Sequence, residues 1–243
     1  TKPMLMQGPQ PVGSWAPSAI PDAGDDFLST VQKLYANDPA LQQNLQEGMA
    51  FQEKVDAMFH EGKDRQMARV SRSRKGFPTL AETAGKLLSD PDGPRLASLE
   101  MGGWDTHVNQ GLEQGQLANN LGIFAEGLVA LKKNLGQNWQ KTVVIAMTEF
   151  GRTARPNGTN GTDHGTAGVA FVAGGSIKGG RVITKWPGLR PQDLYQNRDL
   201  MPTLDIRGLL KSVLQDHYGL SYTTLTHNIF PGSNNVSDIH ILR

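Results

Sequence analysis

Apolar positions along this chain follow a helical rhythm in its first third and alternate between helical and strand-like runs after that. Residues 1–24 show neither; Pro and Gly are frequent, and the stretch reads as an extended lead-in pinned by short contacts from Met4, Leu5 and Trp15. From Asp25 the spacing turns helical, with Phe27, Val31 and Leu34 on one face and Asp25 or Asp26 as the N-cap. Asp38-Pro39 opens a second helix in the favoured cap-then-proline order, and Leu41, Leu45, Met49, Val55 and Phe59 follow at helical steps. A third helix is predicted over 79–88, stopped by the turn sequence Asp90-Pro91-Asp92-Gly93.

Beyond that turn the pattern changes. Residues 96–101 are a candidate strand leading into Gly102-Gly103. Leu117, Leu121, Phe124, Leu128, Leu131 and Leu135 mark one long amphipathic helix. Residues 142–147 form a continuous, partly β-branched apolar run, as expected of a strand buried on both faces; 169–173 is a second and 182–184 a weaker third. A last helix is predicted over 203–218, burying Ile206, Leu209, Leu210, Val213 and Leu214, before an irregular tail from 221 to 243. The succession predicts an α/β domain, a layered sheet flanked by helices, preceded by an all-helical segment. The expected division is a lead-in over 1–24, a helical segment over 25–94 and an α/β metal-binding portion over 95–243.

Composition narrows the function. Lys plus Arg number 24 against 23 Asp plus Glu, a formal charge of +1 that argues against nucleic-acid binding. The basic stretch 65–75, with Arg65, Arg69, Arg72, Arg74 and Lys75, reads as a solvated helix face and loop rather than an anion or membrane patch. With no cysteine, thiolate ligands, disulfides and cysteine nucleophiles are excluded. No apolar run approaches the roughly 18 residues of a transmembrane segment.

Two polar clusters remain, each just after an apolar run. The first is Gly102-Gly103-Trp104-Asp105-Thr106-His107; the second runs from Thr148 to His164 and carries Glu149, Arg152, Asp163 and His164. Loops at the carboxyl ends of strands are where α/β folds bind ligands. Asp105 and His107, two apart, point the same way in extended backbone. Carboxylates with imidazoles suit zinc or another first-row dication, whereas an all-oxygen set would suit calcium or magnesium. Gly158 and Gly161, each after an Asn, favour tight turns that bring Asp163 and His164 back toward Glu149. Either the loop doubles back in this way, or the strand at 169–173 runs antiparallel to that at 142–147. Arg152 is placed to contact an anionic substrate, or else to pair with Glu149 or Asp163. His60, His217, His227 and His240 lack such acidic neighbours, and His60-Glu61 has no second histidine for an H-E-x-x-H motif.

These clusters resemble a bacterial family, the domain of unknown function 1501. The resemblance rests on residues 102–107 with Asn109-Gln110, on Thr148-Glu149-Phe150-Gly151-Arg152 and on Gly161-Thr162-Asp163-His164-Gly165. Gly174-Gly175, Gly179-Gly180-Arg181, Trp186-Pro187-Gly188-Leu189 and Arg198-Asp199-Leu200 extend it. The resemblance implies an alkaline-phosphatase-like or sulfatase-like fold and a metal-dependent hydrolase of phosphate or sulfate esters. Asp105, His107, Glu149, Asp163 and His164 would then be metal ligands and Arg152 the anion contact, with a small anionic ester as substrate. Zinc is the expected metal, with calcium, magnesium or manganese as alternatives. The resemblance also implies twin-arginine export to the periplasm. Three departures stand beside it. Phe150 occupies a place where the superfamily has a histidine ligand, and the Asp105–His107 spacing is shorter than in phosphatases. The family's first strand, which leads toward the nucleophile, has no counterpart here. The expectation is therefore a C-terminal portion with an incomplete sheet, completed by a missing N-terminal part or a second chain. The alternative is a catalytically silent binding or scaffold protein that keeps the fold.

Overall fold

The computed structural model describes Gly8, residues 12–14, 24–58 and 76–243. The lead-in contacts of Met4, Leu5 and Trp15, together with Phe59, His60 and the basic stretch 65–75, lie outside the described residues. Two compact units emerge. One holds the described residues up to Trp104 together with Asn119–Gly136; the other holds Asp105–Ala118 and Gln137–Arg243.

The first unit is helical. Helix α1 spans Asp25–Leu34, and Gly24 rather than an aspartate takes the N-cap position, with no side-chain cap bond. Helix α2, Pro39–Met58, starts as its sequence predicts: Asp38 Oδ1 accepts from the backbone N–H of Ala40 and Leu41, both at 3.1 Å. Helix α3, Phe77–Ser89, overruns the predicted bounds by a residue or two at each end. It stops where Asp90 Oδ1 accepts from the Asp92 amide and the Gly93 amide donates to the Asp90 carbonyl, each at 2.9 Å. Helix α4, Gln116–Leu135, buries Asn120, Gly127, Leu131 and Leu135. Its buried stripe is offset from the leucine row, and Leu121 stays exposed. Gly127 is required there, because a Cβ would meet the Phe77 ring at 2.4 Å.

The second unit carries the site. Strand β1, Val144–Ala146, pairs antiparallel with β4, Phe171–Ala173, and Ile145 lies opposite Val172. Strands β2, Gly151–Arg152, and β3, His164–Gly165, form a second antiparallel pair, with Arg152 opposite His164. Both alternatives drawn from the sequence are therefore realised: the loop doubles back, and the later strand runs antiparallel. Helix α5, Ile206–Tyr218, supplies Leu209 and Val213 to a core with Ile177 and Ile241, against which Val143, Ile145 and Val172 pack.

The described residues form mixed helix and small antiparallel sheets. Residues 96–101 and 182–184 join no ladder, and Val182 is almost wholly exposed. Strand β1 is half-buried rather than covered on both faces, while Val169 and Phe171 face solvent, because a two-stranded sheet has only one face against α5. The tail is not wholly irregular. A π-helical turn spans Thr224–Ile229, and Ile241 and Leu242 close the core, with Leu242 bridging Ile177.

Two features of α5 were hidden in its apolar pattern. Ile206, predicted buried, is exposed, while Lys211 is buried on the packed side. Asp205 caps the helix by accepting from the Arg207 amide at 2.9 Å, and Gly219 ends it in the left-handed conformation. Asp205→Ala is expected to lower stability by about 1 kcal/mol in urea unfolding. No change would show that the cap is dispensable.

Candidate metal centre

Four segments of the second unit build the site. Residues 105–110 run beside 159–162, held by the Asn109 amide on the Thr159 carbonyl, the Gln110 amide on the Asn160 carbonyl and the Thr162 amide on the Thr106 carbonyl. Asn157 makes the turn: its Oδ1 accepts from the amides of Thr159 and Gly161, and its Nδ2 donates to the His107 carbonyl and to Asp163 Oδ1. The Asn-Gly repeats are turns, as predicted. Gly161 passes so close to the 105–110 segment that a Cβ would lie 2.1 Å from the His107 carbonyl oxygen. The β2–β3 pair does the rest. Directly opposed residues of an antiparallel pair present their side chains on one face, so Arg152 and His164 emerge together.

The result is a convergence on one carboxylate oxygen. Asp105 Oδ1 has Arg152 Nη1 at 2.6 Å, His164 Nε2 at 2.9 Å and His107 Nε2 at 3.0 Å. Asp105, His107 and His164 each offer a ligand atom within 4.8 Å of the others, and all three are substantially open to solvent. Around a tetrahedral zinc with bonds of about 2.0–2.1 Å, neighbouring ligand atoms lie roughly 3.3 Å apart. The two imidazole nitrogens need to spread from Asp105 by only a few tenths of an ångström to reach that spacing. The donor chemistry is therefore one that a dication fits.

Support for these side chains comes from behind. His107 Nδ1 lies 3.2 Å from Asp163 Oδ1, an arrangement that fixes the ring and leaves Nε2 facing Asp105. The Phe150 ring stacks on His164 with centroids 4.2 Å apart, and Arg198 donates to the His164 carbonyl at 3.1 Å. Arg152 is held by Nε on Thr162 Oγ1 at 2.8 Å and by Nη2 on the Thr162 carbonyl. Thr162 Oγ1 and Thr106 Oγ1 both donate to Gln110 Oε1 at 2.8 Å. Thr166 Oγ1 donates to the buried Asp199 Oδ2 at 2.9 Å, tying β3 to the 198–199 segment.

The charges are arranged for use at neutral pH. Partial burial pushes the Asp105 carboxyl up, but hydrogen bonds from Arg152 and His164 and the nearby imidazoles outweigh it, so its pKa lies below the ordinary aspartate value. Hydrogen bonds from Asn157 and then His107 hold Asp163 below that value too. A depressed folded-state pKa contributes stability that is present above the unfolded value of 3.8 and is lost as pH falls through the folded value. The Asp105 and Asp163 carboxylates therefore keep their charge across the neutral range and lose it only in acid.

Of the residues picked from sequence, Asp105, His107, His164 and Arg152 come together directly. Asp163 stands one step back, against His107. Glu149 is exposed beyond β1, its carboxylate accepting from Thr148 at 3.4 Å, and is not one of the three convergent residues. Arg152 pairs with Asp105, and neither Glu149 nor Asp163 is its partner. Asn157, Thr162, Gln110 and Arg198 were not singled out for the site, although Gln110, Thr162 and Arg198 stand inside the motifs quoted above.

A family model described as "Protein of unknown function (DUF1501)" matches residues 17–229. The chain belongs to this family. The match spans both units, and for this DUF1501 member it covers every residue of the candidate centre. No curated protein and no solved structure matches the chain. Among the described residues no helix is long and apolar enough to cross a membrane.

Proposed function

We propose that this DUF1501 protein binds a divalent metal through Asp105, His107 and His164 and hydrolyses phosphate or sulfate esters on an alkaline-phosphatase-like scaffold. The observation that carries the reading is the approach of two imidazole Nε2 atoms to a single, solvent-open oxygen of Asp105, beside an arginine. Three protein ligands with a free position are the pattern of catalytic rather than structural zinc sites. A bound dication supplies Lewis acidity toward the ester and lowers the pKa of a water or hydroxyl nucleophile. Asp105 holds negative charge at the centre, Asp163 orients His107, and Arg152 presents a planar fork to a tetrahedral oxyanion. Zinc suits the two imidazoles, with calcium, magnesium or manganese as alternatives, and an exported, periplasmic setting goes with the family reading.

The test is a screen of aryl phosphate and aryl sulfate esters with the metal-supplemented protein. Turnover removed by chelation and restored by metal supports hydrolysis; metal binding without turnover favours the silent scaffold. The stacking of Phe150 on His164, where the superfamily has a histidine ligand, is the observation that keeps that second reading in play.

Asp163 gives a sharper check on the ligand geometry. Asp163→Asn preserves shape but weakens the carboxylate behind His107, and metal affinity is expected to fall about 10- to 100-fold in equilibrium titration. Unchanged affinity would reduce Asp163 to a loop-holding role.

A further inference from the structure

We infer that Arg152 and the metal compete for Asp105 Oδ1, so that cation binding releases the guanidinium edge and switches the centre into an anion receptor. This rests on the metal reading above. The shortest of the three approaches to that oxygen is not from a histidine but from Arg152 Nη1, at 2.6 Å. The other nitrogens of Arg152 are committed to Thr162, so the guanidinium cannot follow a departing carboxylate without breaking both bonds. When Asp105 turns to a cation, Arg152 Nη1 therefore loses its acceptor while staying in place beside the centre.

The charge balance changes sign in the same event. Asp105 and Arg152 neutralise each other, and Arg198 pairs with Asp199 at 3.3 Å. Asp163 leaves one negative charge against His107. A dication turns that single negative charge into a single positive one. Before the exchange an incoming oxyanion meets a carboxylate lying against the guanidinium edge; afterwards it meets a cation and that edge without its carboxylate. Metal and tetrahedral oxyanion thus bind cooperatively and in that order, and reciprocity requires each to tighten the other by the same factor.

The experiment uses cobalt(II), followed by its visible absorption, titrated into the full chain with and without sulfate. In the wild type, sulfate is expected to tighten cobalt at least about fivefold. Arg152→Gln removes the competitor, so cobalt without sulfate binds more tightly than in the wild type, and the sulfate effect disappears. Arg152→Lys keeps a point charge without the fork; its cobalt affinity stays near the wild-type level while the sulfate effect shrinks. A wild type that gives no cobalt spectrum dependent on Asp105 overturns the metal reading and the exchange with it. Cobalt binding that Arg152→Gln weakens, or that stays sulfate-coupled in that variant, overturns the exchange alone.

Discussion

Asp105→Ala protein is expected to retain its fold and lose divalent metal, with affinity reduced by more than about 100-fold, since disturbing a residue behind a metal ligand already costs about 10- to 100-fold. The reason lies in the convergence. His107 and His164 lie beside each other, ring centroids 4.9 Å apart, and both turn Nε2 to Asp105 Oδ1; two imidazoles without a carboxylate between them hold a dication weakly. The readout can be thermal. A metal at 100 times its dissociation constant stabilises the protein that binds it by about 2.7 kcal/mol. Zinc should therefore raise the melting temperature of the wild type and leave that of Asp105→Ala unmoved. Equal zinc-induced shifts in the two proteins would sink the assignment. Acid should weaken wild-type binding as well, as pH falls through the depressed pKa of Asp105 and its carboxylate takes up a proton.

The largest expected loss of stability lies away from the centre, at Lys211. Its side chain is buried, with Nζ 3.1 Å from Asp238 Oδ1, donating to the carbonyls of Val236 at 2.9 Å and Ser233 at 3.2 Å, and 5.3 Å from the centre of the Tyr222 ring. Lys211→Met fills much of the same space and removes the charge, stranding Asp238 and two carbonyls. Breaking a buried pair from one side costs about 3–5 kcal/mol, and Asp238 is partly exposed, which argues for the lower end. A loss of about 3 kcal/mol corresponds to roughly 6–12 °C in a chain of this size. Lys211→Ala adds a cavity and should be worse. A shift below about 2 °C for the methionine variant would show that Lys211 contributes little net stability.

How much of this was readable from the residues differs from element to element. Helix α2 was legible because Asp38 and Pro39 act locally, on amides two and three residues away. The apolar run 142–147 announced a strand but not its partner or direction, since burial is all that such a run encodes. That is why a layered sheet was expected where a two-stranded antiparallel pair formed. In the centre, Asp105 and His107 were legible because alternation puts residues two apart on one side of an extended segment. Asp163 and His164 were legible as a pair but not as separate roles. Adjacent residues in a strand diverge, and here one meets His107 while the other meets Asp105. The Arg152–Asp105 contact joins residues 47 apart and depended on the register of β2 against β3, which no local signal carries. Lys211 was invisible for the opposite reason: it sits in a row of leucines and valine, and its partners come from a segment more than twenty residues later.

The seating of Ile241 and Leu242 against strands laid down roughly seventy to a hundred residues earlier sets an order on biosynthesis. Val143, Ile145 and Val172 leave the ribosome long before the residues that cover them, so during translation this apolar patch stays open. Exposed apolar surface of this kind is what makes unfinished chains prone to aggregate, and it persists until the closing segment is made.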